Sequence, residues 1–150
     1  MNNFMVACAA ALAAAAGLSA QAAPVSWLTD LPQAQAQAQA QHKLVLLDFT
    51  GSDWCPGCIE LKKNVLDNDK FQAYAATNAV LVEVDFPDKK PQPKALKKAN
   101  QALSEKYNVE AYPTLVILDA NGKEVARQEG YGGEDAAIYI SALEKVRAVK

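Results

Sequence analysis

Residues 52–63 read SDWCPGCIELKK and place two cysteines, Cys55 and Cys58, directly before an amphipathic run. Pro56 predicts a helix start, because proline is favoured at the first helical position, where an N–H would be unpaired anyway. Cys55 would then cap the helix. Cys58 would lie one turn further on the same side, within reach of a disulfide after small adjustments. The pair could perform redox chemistry, bind a metal or staple a turn.

The predicted place at a helix N-terminus favours reactivity. Free N–H groups and the positive end of the helix dipole stabilise an anion, so we expect the pKa of Cys55 to fall below the free-cysteine value of about 8.5. Only the thiolate attacks disulfides, which makes Cys55 the exposed nucleophile and Cys58 the deeper, resolving thiol. A loop this short gains little chain entropy on closure, which argues against a purely structural staple.

The sequence around the motif predicts strands that alternate with helices. Four strands are predicted over residues 43–50, 79–86, 114–119 and 123–130, and helical segments over 34–41, 55–66, 67–77, 94–108 and 132–149. The fourth helical segment is expected to bury Leu96, Ala99, Leu103 and Tyr107, and the last one Ala137, Ile140, Leu143 and Val146 or Val149. This order predicts one α/β domain over residues 23–150. Its sheet would be mixed but mostly parallel, with about four strands, helices on both faces and an antiparallel hairpin at the end.

The first 22 residues predict a signal peptide. Residues 4–23 carry no charged side chain, and Ala20 and Ala22 form the small-x-small pattern that precedes cleavage. A buried N-terminal helix is the alternative. Cleavage would remove Cys8 and leave the motif's cysteines as the only ones, in an oxidising compartment where a disulfide persists. We expect a periplasmic protein with no stable membrane anchor, and secretion as the alternative.

The charge pattern excludes one class of partner. A formal net charge of −2 argues against a nucleic-acid binder, because no basic excess is present to neutralise phosphates. A local basic patch is interpreted as a solvated loop and helix face; it comprises Lys89, Lys90, Lys94, Lys97 and Lys98.

Two further side chains near the motif are candidates for the site. Asp48 stands in an apolar strand, where a carboxylate is costly unless it is paired or protonated. It could therefore move protons for Cys58, or else point to a helix cap or to solvent. Trp54 could cover the disulfide and shape the surface beside it, or be a plain core aromatic.

The segments LLDFTGSDWCPGC (residues 46–58) and AYPT (residues 111–114), in this order of strands and helices, resemble the thioredoxin superfamily. The likeness is to small exported bacterial thioredoxin-like proteins with DFTGSDWCxxC, and it covers residues 43–149. It implies a thioredoxin-like fold and a thiol–disulfide oxidoreductase that acts on protein disulfides through a redox-active Cys55–Cys58 pair. It also implies that Pro113 is cis and packs against that pair.

The resemblance also implies a substrate site. The backbone of Tyr112 would pair with an extended substrate, and Gly130 would leave room for it. This sequence departs from thioredoxins proper in three ways: Pro-Gly replaces Gly-Pro between the cysteines, the spacing from Asp48 to Cys55 is one residue longer, and Ile59 stands where lysine is frequent. Lys62, one turn beyond Cys58, is the nearest basic candidate to tune that cysteine, but it is expected to be solvated.

No cofactor is expected. The expected partners are proteins with thiols or disulfides and a membrane or periplasmic redox partner, and the protein is expected to be a monomer.

A closed zinc site needs four ligands, and the single histidine, His42, is expected at the far end of the first strand. The rival functions are a Cu(I)-binding, metallochaperone-like module that uses the same cysteines and an inert binding module with a structural disulfide. Reductase, oxidase and isomerase directions remain open.

Overall fold

The computed structural model describes residues 25–149, and the expected signal peptide and Cys8 lie outside them. Five strands form one sheet in the order β1-β3-β2-β4-β5; they are β1 (Trp27–Leu28), β2 (Leu44–Thr50), β3 (Ala79–Asp85), β4 (Thr114–Leu118) and β5 (Glu124–Glu129). The four predicted strands are confirmed, and the two-residue β1 is additional. β3 pairs in parallel with β1 and β2, whereas β4 pairs antiparallel with β2 and β5. The sheet is therefore mixed in equal parts rather than mostly parallel.

The helices alternate with these strands. They are α1 (Leu31–Gln41), α2 (Pro56–Leu61), α3 (Asp69–Asn78), α4 (Lys94–Lys106) and α5 (Ala136–Ala148). α1 begins before the predicted residue 34, because the Asp30 side chain accepts the N–H of Gln33 at 2.7 Å and caps the helix there. α2 continues as one π-helical turn, Lys62–Leu66. Within the described range, none of the helices is long and apolar enough to cross a membrane.

Helices cover both faces of the sheet and create two apolar clusters. On one face, α2, the π-helical turn, α3 and α5 pack against β2 and β3; this cluster includes Leu46, Leu61, Val65, Phe71, Leu81 and Leu143. On the other face lie α1 and the end of α4; this cluster includes Ala34, Ala38, Val45, Phe49, Val82 and Tyr107. β2 is buried along its whole length, as a central strand should be.

The inward face of α4 differs from the apolar one expected. Ala99 is exposed, Leu96 and Leu103 are half-buried, and the polar Asn100 and Ser104 are buried instead. Both polar side chains donate hydrogen bonds to backbone carbonyls, that of Asn100 to Asp85 at 2.8 Å and that of Ser104 to Val109 at 3.2 Å. These bonds offset part of the cost of burying them, since the Oδ1 atom of Asn100 has no hydrogen-bond partner among the described residues.

The inward face of α5 is also shifted. Ala136, Tyr139 and Leu143 are buried, whereas Ala137 is exposed, Ile140 and Val146 are half-buried, and Val149 is 88% exposed. The Asp135 side chain caps α5 and accepts the N–H groups of residues 137 and 138 on the exposed side of its first turn.

Candidate active site

The two cysteines lie where β2 passes to α2. Pro56 is the first residue of α2, and Cys55 is its N-cap in extended backbone conformation. The Sγ atom of Cys55 accepts the backbone N–H of Cys58 at 3.2 Å. The two residues form a disulfide, with Cα atoms 5.3 Å apart. Sulfur thus takes the place that a serine or aspartate oxygen occupies at other helix starts.

Both cysteines are well covered. Cys55 is 6% exposed and Cys58 3%, so the nucleophile expected to be exposed is a buried residue. The N–H of Gly51 points to the Cys58 Sγ at 3.5 Å. A partner must therefore approach the disulfide past the residues that surround it, which we call the rim.

A tight turn carries Trp54 to that rim. The Gly51 carbonyl accepts the N–H groups of Trp54 at 3.3 Å and Cys55 at 2.9 Å, which closes the turn before α2. The indole lies on Gly51, where a Cβ would be only 2.6 Å from Cζ2 of the ring. Only glycine fits beneath the indole.

The Trp54 side chain packs with those of Tyr112 and Phe86 beside the disulfide. Its ring meets Tyr112 edge-to-face at 5.8 Å, and Tyr112 lies 5.3 Å from Phe86. The indole N–H donates to the Phe86 carbonyl at 2.7 Å. Trp54 is 44% exposed, so it is a surface aromatic held in place rather than a core residue. The local sequence gives no sign that Phe86 belongs to this group, because its position depends on where β3 ends.

Pro113 faces the loop between the cysteines. The Tyr112–Pro113 bond is cis, as the resemblance implies. A Cβ on Gly57 would lie 3.5 Å from Cδ of Pro113, which places the proline ring against the CXXC turn. The N–H of Gly130 donates to the Pro113 carbonyl at 2.8 Å. Gly130 has a φ of 74°, which favours glycine, and a Cβ there would meet nothing within 4 Å.

Asp48 is buried on the α2 side of the sheet. Strand alternation puts it on the same face as Leu46, which shares a cluster with Leu61 of α2. Burial, and secondarily the charge of Glu83, raises the pKa of Asp48 to about 7, while Lys62 acts in the opposite direction. Its Oδ1 has no hydrogen-bond partner among the described residues. The alternative positions at a cap or in solvent are wrong.

Asp53 fastens a second loop to the active-site turn. Its carboxylate accepts three consecutive backbone N–H groups, those of residues 88–90, at 2.8–2.9 Å. These bonds, that of Asp88 first, hold the pKa of Asp53 below its ordinary value. Ser52 adds two bonds to the Asp85 carboxylate. An aspartate in a turn commonly bonds nearby backbone, but its partners here are 35 to 37 residues away.

Two remaining candidates lie outside the redox pair. Lys62 is not simply solvated, because its Nζ is 3.4 Å from the Asp67 carboxylate and 4.7 Å from the centre of the Trp27 ring. His42 is exposed at the end of α1, before β2 begins, whereas the cysteines follow the end of β2. Within residues 25–149, no three His, Cys, Asp or Glu side chains converge as a metal cluster would require.

Comparison with known proteins identifies the family. The family model described as a thioredoxin-like domain matches residues 31–147. The chain is 38% identical to the disulfide bond reductase DsbH of Chlamydia pneumoniae over 122 residues, which are 81% of this chain and 72% of that protein. It is 35% identical to the thiol:disulfide interchange protein DsbD of Yersinia pestis over 123 residues, 81% of this chain but only 19% of DsbD.

Solved structures agree with this result. A structure described as the DsbH oxidoreductase has a TM-score of 0.79 and 33% identity, with 95% of this chain and 96% of that one covered. The oxidised C-terminal domain of DsbD from Neisseria meningitidis, at 23% identity and a TM-score of 0.60, shares the fold; the match covers 81% of this chain and all of that domain. The chain therefore belongs to the thioredoxin-like family, as a thiol–disulfide oxidoreductase whose direction of electron flow the family does not fix.

Proposed function

We propose that this protein reduces disulfides of other proteins in the periplasm, with Cys55 as the nucleophile and Cys58 as the resolving thiol. The observation that carries the proposed roles of the two cysteines is the place of the Cys55 Sγ at the N-terminus of α2, where it accepts a backbone N–H. In the reduced protein the same N–H and the helix dipole would stabilise a Cys55 thiolate.

The reaction then takes two exchange steps. The Cys55 thiolate attacks one sulfur of the substrate disulfide, forms a mixed disulfide and releases the other substrate sulfur as a thiolate. The Cys58 thiolate then attacks the Cys55 sulfur, which restores the Cys55–Cys58 disulfide and releases the second substrate thiolate. The substrate gains two electrons and the protein loses two, so a redox partner must reduce it again.

Asp48 is proposed to take the proton from Cys58 before the second step. It lies on the face of the sheet that α2 covers, and its pKa of about 7 lets it accept and release a proton near neutral pH. The position of Pro113 against the CXXC turn supports a substrate site beside the pair. Neither the N–H nor the carbonyl of Tyr112 bonds to another described residue, so both are available to an extended substrate strand.

The direction and location follow the relatives. The name disulfide bond reductase belongs to DsbH, the relative that this chain matches over most of both lengths. The expected signal peptide would deliver residues 23–150 to the periplasm, where a redox partner, in the membrane or the periplasm, would return electrons to Cys55 and Cys58.

Trapping with a model substrate tests these roles. Cys58→Ser should accumulate a mixed disulfide with an oxidised peptide, because the first attack proceeds and the second cannot. Cys55→Ser should accumulate none. Both variants keep one sulfur in the same turn, so each is the other's control. A mixed disulfide that forms equally on both variants, or only on Cys55→Ser, contradicts the assignment.

The role of Asp48 needs a separate measurement. In Asp48→Asn, the decay of the mixed disulfide should be slowed by about a hundredfold or more, in line with the loss of a general base. The first attack by Cys55 should change little. An equal effect on both steps would indicate a structural role only.

A further inference from the structure

A basic surface borders the redox site. We name the lysine surface after its five members, which lie in the loop before α4 and on its first turns: Lys89, Lys90, Lys94, Lys97 and Lys98. All five side chains are exposed. None of them takes part in the ion pairs found among residues 25–149. Their charges therefore face solvent or a partner.

The charge of the chain is strongly segregated. Residues 86–106 hold six lysines and two carboxylates, a net charge of +4, whereas the rest of the chain holds nine basic and fifteen acidic residues, a net charge of −6. The overall value of −2 conceals this separation. A concentrated positive surface on an otherwise acidic protein orients charged partners as they approach.

The lysine surface is fixed to the disulfide rather than carried on a loose loop. The Asp53 carboxylate holds the backbone N–H groups of Lys89 and Lys90, each at 2.8 Å, and Asp53 is two residues before Cys55. The bond from the Trp54 indole to the carbonyl of Phe86 anchors the start of the same loop. Because of these contacts, Lys89 and Lys90 belong to the rim around the redox pair. A loop that was merely solvated would not need such contacts.

We propose that the lysine surface docks an acidic segment next to the disulfide of the protein with which this chain exchanges electrons. The inference rests on the proposed function. A protein whose sulfur reaches Cys55 must place its neighbouring residues over the rim formed by Trp54 and residues 86–90. Carboxylates at those places would meet Lys89 and Lys90, so this surface selects acidic partners.

Charges at the rim of an interface act mainly on the rate of encounter. Steering of this kind raises association rates by about 10-fold to 1,000-fold at low salt. It fades as the screening length falls from about 30 Å at 0.01 M to about 3 Å at 1 M ionic strength. A rate that depends on both charge and salt is therefore the expected sign of docking.

Two disulfide peptides of equal length provide the probe, one with glutamates and one with lysines beside the cysteines. Each oxidises the reduced protein, which loses two electrons as its own disulfide forms while the peptide becomes a dithiol. The second-order rate constant follows from the change in tryptophan fluorescence, to which Trp27 and Trp54 both contribute. At about 0.02 M ionic strength the glutamate peptide should react about tenfold faster, and at about 0.5 M within about twofold of the lysine peptide.

Charge reversal at the rim should invert the preference. In Lys89→Glu/Lys90→Glu, the lysine peptide should become the faster of the two at low salt. The matched control is Lys123→Glu/Lys145→Glu, which changes the net charge equally at exposed positions. Lys123 follows β4, whose last residue pairs near the start of β2, at the end of the sheet opposite to the cysteines. The control should keep the preference for glutamates.

Equal rates for the two peptides, or equal effects of the two double variants, would overturn the docking proposal while leaving the redox function intact. Failure of both peptides to oxidise the reduced protein would remove the proposed function, and this inference with it. Binding to vesicles of phosphatidylglycerol tests the alternative that the lysine surface binds an anionic membrane. If the rim variant loses vesicle binding and the wild type shows no preference between peptides, the surface serves a membrane and the proposal is wrong.

Discussion

The buried carboxyl group of Asp48 should make the protein less stable as the pH rises. Burial raises the pKa of Asp48 to about 7 from its ordinary value of 3.8. Between these values the unfolded chain has lost the Asp48 proton while the folded protein keeps it. The contribution of the protonated group is thus fully present below about pH 3.8 and is lost as the pH rises through about 7.

The size of the loss of stability follows from the difference between the two pKa values of Asp48. From 3.8 to about 7, at about 1.4 kcal/mol for each pH unit, the free energy of unfolding should fall by about 4 kcal/mol. Asp48 is 2% exposed, so solvent screening does not reduce this figure strongly. Asn in place of Asp48 keeps the size of the side chain and removes the titration.

Urea unfolding of the oxidised wild type and of Asp48→Asn, from about pH 4 to about pH 8, provides the test. The oxidised form is used because its disulfide cysteines do not titrate. The free energy of unfolding of the variant minus that of the wild type should rise by about 4 kcal/mol across this range. Titrating groups that do not interact with Asp48 cancel in the difference. A change below about 1 kcal/mol would refute the reasoning.

Glu83→Gln is the matched variant for the cause of the shift. Glu83 faces Asp48 across the β2–β3 pairing, and its charge is the second contribution to the raised pKa. Its removal should lower the pKa of Asp48, so the loss of stability should end at a lower pH. If the profile stays unchanged, burial alone controls the titration.

Two further changes test the rim of the site. Gly51→Ala should destabilise the protein by about 1–3 kcal/mol in urea unfolding, because its Cβ would strike the held indole of Trp54. The control Gly132→Ala meets only a flexible carboxylate end and should cost less. Asp53→Asn should speed hydrogen exchange at the N–H groups of residues 88–90, which lose a charged acceptor. In the wild type this protection should persist as the pH falls below the usual aspartate range, since the pKa of Asp53 is lowered.

The sequence predicts best what depends on local chemistry. Pro56 after Cys55 marks the helix start, and the structure has α2 begin there. The apolar run of β2 signals a strand buried on both faces. The two-residue β1 gives no such pattern, because it is too short for alternation to be visible and exists only through its pairing with β3.

The remaining features depend on partners distant in sequence. Asn100 is buried because the Asp85 carbonyl lies opposite it, which no helical periodicity reveals. Asp53 looks like an ordinary turn residue until residues 88–90 are placed beside it. The raised pKa of Asp48 likewise needs the neighbouring strand, which supplies Glu83. Such long-range contacts determine how these side chains behave, but the local sequence pattern does not reveal them.

The reduction potential of the Cys55–Cys58 pair tests the central claim most directly. Protein lacking residues 1–22 would be equilibrated in glutathione mixtures, and its thiols trapped and counted. The proposed reductase should titrate reversibly, with a potential near that of a reducing thioredoxin, about −270 mV. A reversible titration near about −120 mV would mean a disulfide donor and would contradict the proposed direction. No reversible titration at all would contradict the assignment of a redox function to this pair.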